Sequence, residues 1–462
     1  MGVVSLLRSI TKGNSVTFEE AIAYMGGLLR FGWKLGNERF EELCARSGNP
    51  QQHYPILHIA GTKGKGSTTA LAAGILTASG YYKTGAYFSP YVYDVRERVQ
   101  VDGALIPEAD FARYVAEAVP HIEALAATEL GQTTEFELKT LIAFRHFATQ
   151  KVDYVCLEVG LGGRLDATNV VKPTVTAITN IGLDHMDRLG NTHAEIAGEK
   201  AGIIKSGIPC FTGTDHPDAF AVIARIAYER NAPLIRVVPH TDLTPTLGEV
   251  RYRADPSDPQ SGTVSVATPN QIYPNVFVGM HGEYQRANAA LALATVEELL
   301  ARTGKTLTLE EAQKGLAETQ LPGRFTILKR ADGKTIIMDG AHNAMAAEAL
   351  RAPLQNYRET HNLKRVFLVF GMLQGHEPHD VLAQLAPLSD QIFVCQPDWK
   401  RAQPAEEVAA VARTFTPNVE TIPDVKSAVR AALAAASPND LIIITGSFYT
   451  VGEAPPDFLH QI

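Results

Sequence analysis

Short apolar runs along the chain alternate with stretches whose apolar residues recur every three or four positions. Pro55-Ile56-Leu57-His58-Ile59-Ala60 is the first clear run, followed by a glycine-rich turn and a helical pattern over Ser67–Ser79. Strand, turn and helix in that order open a doubly wound α/β domain. Helices are expected before it over Phe18–Arg30 and Asn37–Ser47, the second stopped by Gly48-Asn49-Pro50. Further strand patterns fall at Tyr154–Val159, Val175–Ile178 and Pro209–Thr212, between helical patterns at Glu137–Thr149, His193–Ile204 and Asp218–Asn231. That alternation predicts a mostly parallel sheet covered on both faces. Residues 247–277 break the rhythm with Thr, Val, Pro, Gly and Asp, and predict antiparallel hairpins decorating the same domain.

Helical patterns at Glu283–Arg302 and Glu310–Thr319 lead to Leu321-Pro322-Gly323-Arg324, a hinge signal. The alternation then restarts. Strands are expected at Thr335–Met338, Val366–Phe370, Gln391–Val394 and Leu441–Thr445, with helices near 344–357, 405–414 and 426–436. The fold class read from this is α/β. A P-loop-type doubly wound, mostly parallel sheet domain spans 1–320, a hinge 321–324, and a smaller Rossmann-like domain 325–462. No internal repeat or low-complexity tract interrupts the plan.

At 462 residues the chain exceeds one ordinary core. Its 45% hydrophobic and 20% charged residues suit a soluble globular protein. A net charge of −8 and a pI of about 6.0 argue against a nucleic-acid backbone binder, while leaving room for a local basic pocket. The four cysteines are scattered without a CxxC pair, as expected of free thiols in a reducing compartment. Met1 to Leu7 is too short an apolar run for a signal peptide, and no run approaches a membrane span. A cytoplasmic protein, with neither nucleic-acid nor membrane partners, is expected.

The strongest chemical signal is Gly61-Thr62-Lys63-Gly64-Lys65-Gly66-Ser67. Glycines let successive N–H groups and a helix N-terminus face nucleotide phosphates, Lys65 adds a point charge and Ser67 a hydroxyl. Ile59 replaces the first glycine of a Walker A loop, and Gly66 separates the lysine from the serine. Glu158 closes an apolar strand before the turn Gly160-Leu161-Gly162-Gly163. A carboxylate at that sheet edge suits magnesium held beside phosphates, although a strand-end glutamate can also simply face solvent. His185 follows the next strand and is either a loop histidine or a ligand in the same crevice. Lys200 lies on an apolar stripe with Ile196, Ala197, Ile203 and Ile204. Its ammonium either snorkels to water or is altered or paired at a site. Gly282–Asn288 opens a helix, and Met338-Asp339-Gly340-Ala341-His342-Asn343 joins a strand to a helix in the second domain. Arg324, on the hinge, has the chemistry to neutralise charge on phosphate oxygens.

These motifs, in this order and over nearly the whole length, resemble the folylpolyglutamate synthases and dihydrofolate synthases of the Mur-ligase superfamily. The likeness is carried by His58–Ser67, Asp94-Val95-Arg96-Glu97-Arg98, Glu158–Asn169, Glu199–Lys205 and Asp339–Asn343. The resemblance implies an ATP-dependent, Mg²⁺-requiring ligase that activates a pteroyl carboxylate as an acyl phosphate and joins it to L-glutamate. It implies that Gly61, Thr62, Gly64, Lys65, Gly66 and Ser67 bind ATP, with Asn288, Arg324 and Asp339 as further contacts. Ser89, Glu158 and His185 would ligate magnesium, with Lys200 carbamylated into an anionic oxygen ligand. Lys65, Lys200, Arg324 and His342 would be the catalytic set. Thr134, Glu135, Phe136 and Glu137, with Leu165, Asp166 and Ala167, match stretches that contact dihydropteroate in bifunctional members. His342 and Ser447 would meet the incoming glutamate. The Gly-Arg-Leu-Asp-Ala-Thr-Asn form at 163–169 resembles bifunctional enzymes that accept both dihydropteroate and reduced folate. A monomer working on small molecules is implied.

Phe88, Tyr91 and Ala344 replace a common Thr, His and Pro of the family, which touches loop conformation and substrate preference but removes no reacting group. Two other readings compete: a Mur-type ligase for a cell-wall precursor, and a nucleotide-binding switch. The switch lacks an Asn-Lys-x-Asp signature and leaves Lys200 without a purpose.

Overall fold

The computed structural model describes residues 16–28, 36–255 and 262–461. The N-terminal apolar run and the last residues of the first expected helix, Leu29 and Arg30, lie outside them. The described chain forms two compact units. The first comprises Met1–Pro90, Arg96–Val278 and Arg286–Thr319; the second comprises Tyr91–Val95, Gly279–Gln285 and Gln320–Ile462.

The first unit is built on β1 (Ile56–Ala60), β2 (Thr84–Tyr87), β3 (Val99–Val101), β4 (Ala104–Leu105), β5 (Tyr154–Glu158), β6 (Val175–Ile178), β7 (Cys210–Thr212), β8 (Leu234–Pro239), β9 (Glu249–Ala254), β10 (Thr263–Ala267) and β11 (Ile272–Phe277). Among the described residues they form one 11-stranded sheet in the order β11-β10-β9-β8-β7-β6-β1-β5-β2-β3-β4. From β9 to β2 all pairings are parallel. β1, β5 and β6 are buried along their whole length, as strands covered on both faces must be. Their carboxyl ends open on one edge, where ligands of open α/β sheets gather.

The helix after β1 runs Lys65–Ala78, two residues earlier than its apolar pattern suggested, because Gly64 caps it in a left-handed conformation. The segment expected as decorating hairpins has a different role. β9, β10 and β11 do pair antiparallel with one another, but β9 joins β8 in parallel, so they extend the main sheet. The helix Glu108–Ala126 was not foreseen: Pro120 reads as a breaker, yet the stripe Phe111, Tyr114, Val115, Ala118, Val119 and Ile122 is buried and holds it. The half-buried β8 likewise gave no clear pattern.

The second unit carries β12 (Thr326–Lys329), β13 (Thr335–Met338), β14 (Val366–Phe370), β15 (Gln391–Gln396), β16 (Val419–Asp424) and β17 (Leu441–Thr445). They form a six-stranded sheet in the order β12-β13-β17-β14-β15-β16, with only β12–β13 antiparallel. β13, β14 and β17 are the continuous apolar runs seen in the sequence. β12 and β16 are half-exposed edges, which is why their patterns were faint.

Candidate active site

The loop between β1 and the helix Lys65–Ala78 is fixed from outside by the segment that follows β6. Thr62 Oγ1 donates to Gly182 O, and Gly182 N returns a bond to Thr62 Oγ1. Lys63 N donates to Asn180 Oδ1 at 2.9 Å, and Thr179 Oγ1 to Lys63 O at 2.6 Å. Two of the glycines are required. At Gly61 (φ +148°) a Cβ would lie 1.8 Å from Thr179 Oγ1, and at Gly64 (φ +83°) 2.4 Å from Asn288 Oδ1. Gly64 therefore brings the expected ATP contact Asn288 against the loop. The first turn of a helix has N–H groups without intrahelical partners, which suits an anion at this end.

Two lysines meet over this loop. Lys65 Nζ donates to Gly61 O at 3.1 Å, and Lys200 Nζ donates to the same oxygen at 3.0 Å. Lys200 is 4% exposed. Burial, then the neighbouring Lys65, lower its pKa to about 7. The choice left open by its sequence pattern is thereby decided: Lys200 does not snorkel but points at the phosphate loop. Two lysine nitrogens on one carbonyl, with Asp184 close by, set a basic group against the loop, which suits a triphosphate.

Thr62, Lys65 and Lys200 line a crevice of about 250 Å³ with Gly160, Leu161, Gly162, Asp184 and His185. Glu158 is buried at the carboxyl end of β5, and its Oε2 accepts from Ser89 N at 2.8 Å. Ser89 and Glu158 are thus neighbours. His185 sits at the mouth in a left-handed backbone conformation (φ 51°), in which histidine is less costly than bulkier residues. The side chain is 55% exposed, and partial desolvation of the ring, helped by Lys65, Lys63 and Lys200, lowers its pKa against the pull of Asp184. Among the described residues no three His, Cys, Asp or Glu side chains gather as a metal site. The expected donor set differs from such a trio, since it mixes one carboxylate and one imidazole with a hydroxyl and a modified lysine. The adjacency of Ser89 and Glu158 at the phosphate edge fits it. Sequence reasoning missed the ion pair Lys63–Asp184 at 2.8 Å, which ties the loop to the residue before His185.

The segments expected to meet the pteroyl group are heavily engaged in structure. Thr134 caps the helix Glu135–Gln150 through a capping box with Glu137. The Glu137 carboxylate also takes Arg39 at 2.7 Å, both side chains being buried. Glu137, expected to touch substrate, also serves the cap and the pair with Arg39. Glu135 pairs with Lys139, and the Phe136 ring lies under the Arg98 guanidinium at 5.8 Å. Asp166 caps the short turn Ala167–Val170. Burial raises its pKa, opposed by hydrogen bonds from Thr168, Leu161 and Gly160. Leu165 and Ala167 flank it, half-buried and buried.

Within the second unit, Asp339 Oδ2 accepts from Phe325 N and Oδ1 from Ala341 N, both at 2.9 Å. One carboxylate thus fixes the backbone beside Arg324 and beside His342. The Arg324 guanidinium lies 4.6 Å from the Phe448 ring centroid. His342 Nδ1 donates to Gly340 O at 2.7 Å, since a carbonyl oxygen only accepts. Ser447 is buried, and its Oγ caps the helix Phe448–Gly452 by accepting from Thr450 N.

Residues 59–296 match the Mur ligase middle domain, and residues 323–448 match the Mur ligase glutamate ligase domain. Fold and crevice together define an ATP-dependent ligase of the Mur superfamily. The dihydrofolate synthase/folylpolyglutamate synthase of Bacillus subtilis is 35% identical across 94% of this chain and 98% of its own length. The Escherichia coli FolC structure with DHPP and ADP has a TM-score of 0.80 at 32% identity, covering 95% of this chain and 96% of that one. A Yersinia pestis bifunctional folylpolyglutamate synthase/dihydrofolate synthase with Mn, AMPPNP and L-glutamate bound has a TM-score of 0.77 at 31% identity, over 94% and 97% of the two chains. The chain belongs to the folylpolyglutamate synthase/dihydrofolate synthase family. The α/β class with a larger and a smaller sheet domain, expected from the sequence, is also met.

Proposed function

We propose that this chain ligates L-glutamate to dihydropteroate and to tetrahydrofolate (poly)glutamates, using ATP and Mg²⁺ and releasing ADP and phosphate. The observation that carries the reading is the convergence of Lys65 and Lys200 on Gly61 O, in a crevice closed by Asp184 and His185. A carboxylate is a poor acyl donor because its charge repels nucleophiles and oxide leaves badly. Its oxygen attacks the γ-phosphorus of ATP, the bond to ADP breaks, and an acyl phosphate forms. The glutamate amine then attacks the acyl carbon, phosphate leaves, and the amine's proton is lost. Lys65 and the N–H groups of the loop stabilise charge on the moving phosphoryl, and the family resemblance gives Arg324 the same role. Asn288 and Asp339 complete the ATP contacts.

Ser89, Glu158, His185 and a carbamylated Lys200 are the residues to hold Mg²⁺, which when bound offsets the charge of the triphosphate. A buried lysine with a lowered pKa is an effective amine for carbon dioxide, since only the neutral form reacts. Carbamylation forms one N–C bond and releases one proton. The segments 134–137 and 165–167 receive the pteroyl group, and His342 and Ser447 meet the glutamate. We take the acting species to be a single chain in the cytoplasm. No described helix is long and apolar enough to cross a membrane, and all four cysteines are free and buried.

The test is glutamate incorporation measured side by side on dihydropteroate and tetrahydrofolate. Turnover on both supports bifunctionality, and turnover on tetrahydrofolate alone restricts the chain to polyglutamylation. Silence on both, with turnover on a muramoyl precursor, moves it to the cell-wall ligases.

A further inference from the structure

A buried relay runs from β1 to the turn that lines the crevice. His58, in the middle of β1, is 0% exposed, and its Nε2 lies 2.9 Å from Thr168 Oγ1. Thr168 Oγ1 donates to Asp166 Oδ1 at 2.6 Å, and Thr168 N donates to the same oxygen at 2.9 Å. Asp166 Oδ2 accepts from Leu161 N at 2.9 Å. Each Asp166 oxygen thus accepts a backbone N–H. A hydroxyl has one proton, and Thr168 gives it to Asp166. Thr168 must then accept from His58, which fixes the ring as the neutral Nε2–H tautomer.

The other ring nitrogen, His58 Nδ1, is buried without a partner. A leucine in that place would avoid the cost of an unmet polar atom, so the histidine is retained against packing. Burial lowers the His58 pKa to about 3, so the ring carries no proton traffic near neutrality. The far end of the relay has no slack. A Cβ on Gly160 would lie 2.4 Å from Phe136 Cζ and 3.0 Å from Asp166 Oδ2. Gly160, Leu161 and Gly162 line the crevice with Lys65 and Lys200.

We propose that His58 is a positioning residue for the pteroyl substrate, holding Gly160–Gly162 and Leu165–Ala167 in place through Thr168 and Asp166. This rests on the pteroyl assignment made above. It predicts a specific signature, because Asp166 lies in a segment assigned to the pteroyl group, whereas the phosphate loop is held separately by Thr179, Asn180 and Gly182.

The experiment compares His58→Leu, which keeps bulk without a donor, with His58→Gln, which restores an N–H donor. Thr168→Val cuts the same relay one residue on and decides the matter if His58→Leu does not fold. Amide hydrogen exchange at Leu161 and Thr168 is read without substrate, and steady-state kinetics with dihydropteroate, glutamate and ATP. The expected result for His58→Leu or Thr168→Val is about tenfold faster exchange at those amides and about tenfold higher KM for dihydropteroate, the effect of one buried hydrogen bond. kcat and the KM for ATP stay within about twofold, and His58→Gln returns toward the wild-type values. A fall in thermal stability with exchange and pteroyl KM unchanged would make His58 a packing residue and overturn the proposal. A wild-type chain with no pteroyl-dependent phosphate release would remove the substrate assignment alone, and the exchange pattern would still decide the relay.

Discussion

Lys65 and Lys200 donate to one carbonyl oxygen, Gly61 O, although they stand far apart in sequence. Lys200→Ala removes the lysine proposed above as the carbamylated ligand while leaving Lys65 on the loop. Turnover is expected to fall by about 100-fold or more, as when a preorganised electrostatic group is lost. Small added carboxylates are expected to restore part of it, and wild-type turnover in the variant would take Lys200 out of the site. Lys139 offers a cleaner view of pH, since it lies off the phosphate loop. It is 4% exposed and paired with Glu135, and burial followed by Arg98 lowers its pKa to about 8 from 10.5. The unfolded chain then binds more protons than the folded one between about pH 8 and 10.5, so this group makes stability rise with pH across that window. Below it both states are protonated and the slope vanishes. Lys139→Met is expected to flatten the slope in urea unfolding measured at pH 8 and pH 10, and an unchanged slope would mean that the ammonium is solvated. Lys200 was legible in the sequence because an apolar stripe made its charge conspicuous. The Lys63–Asp184 pair was not, because its partners stand 121 residues apart and only the fold brings them together.

At the scale of elements, the runs that could be read were those whose burial is uniform. β1, β5, β6, β13, β14 and β17 are covered on both faces and show as unbroken apolar runs. The edge strands β12 and β16 share one side with water and lose that signature. The candidate site also carries structural duties that spacing alone can account for. Thr134 and Glu137 belong to a segment that resembles a substrate stretch, but a capping box has its own spacing and accounts for both side chains. Arg39, from the helix Glu38–Arg46, locks that cap by pairing with Glu137, with side-chain exposures of 7% and 5%. Removing one partner of such a pair strands the other charge in the interior. Arg39→Met is therefore expected to destabilise the chain by about 3–5 kcal/mol, read as a lowered urea midpoint at constant m. A loss below about 1 kcal/mol would place the pair in effective contact with water.

At the scale of the whole molecule, the two sheets follow one another in sequence but the two compact units do not. Tyr91–Val95 and Gly279–Gln285 leave the first unit and belong to the second, although Gln320 begins its main body. Nothing in the periodicity of those short segments marks them, since each is too brief to carry a strand or helix pattern of its own. Val92 and Tyr93 pack against the core made by Leu328, Ile336, Met338, Phe367 and Val451, and Tyr93 Oη donates to Met338 Sδ at 3.5 Å. Gly323 is constrained by the same insertion, since at φ +68° a Cβ there would meet Val92 Cγ2 at 3.1 Å. A fragment cut at residue 320 would lose this cover and expose apolar core. At about 25 cal/mol per Å² of buried apolar surface, two partly buried side chains are worth roughly 1–3 kcal/mol. Residues 320–462 alone are expected to unfold at a lower urea concentration than the same fragment with residues 90–96 attached through a flexible linker. Equal midpoints would mean that the inserted segment merely passes over the second unit, and that its core closes without help from the first half of the chain.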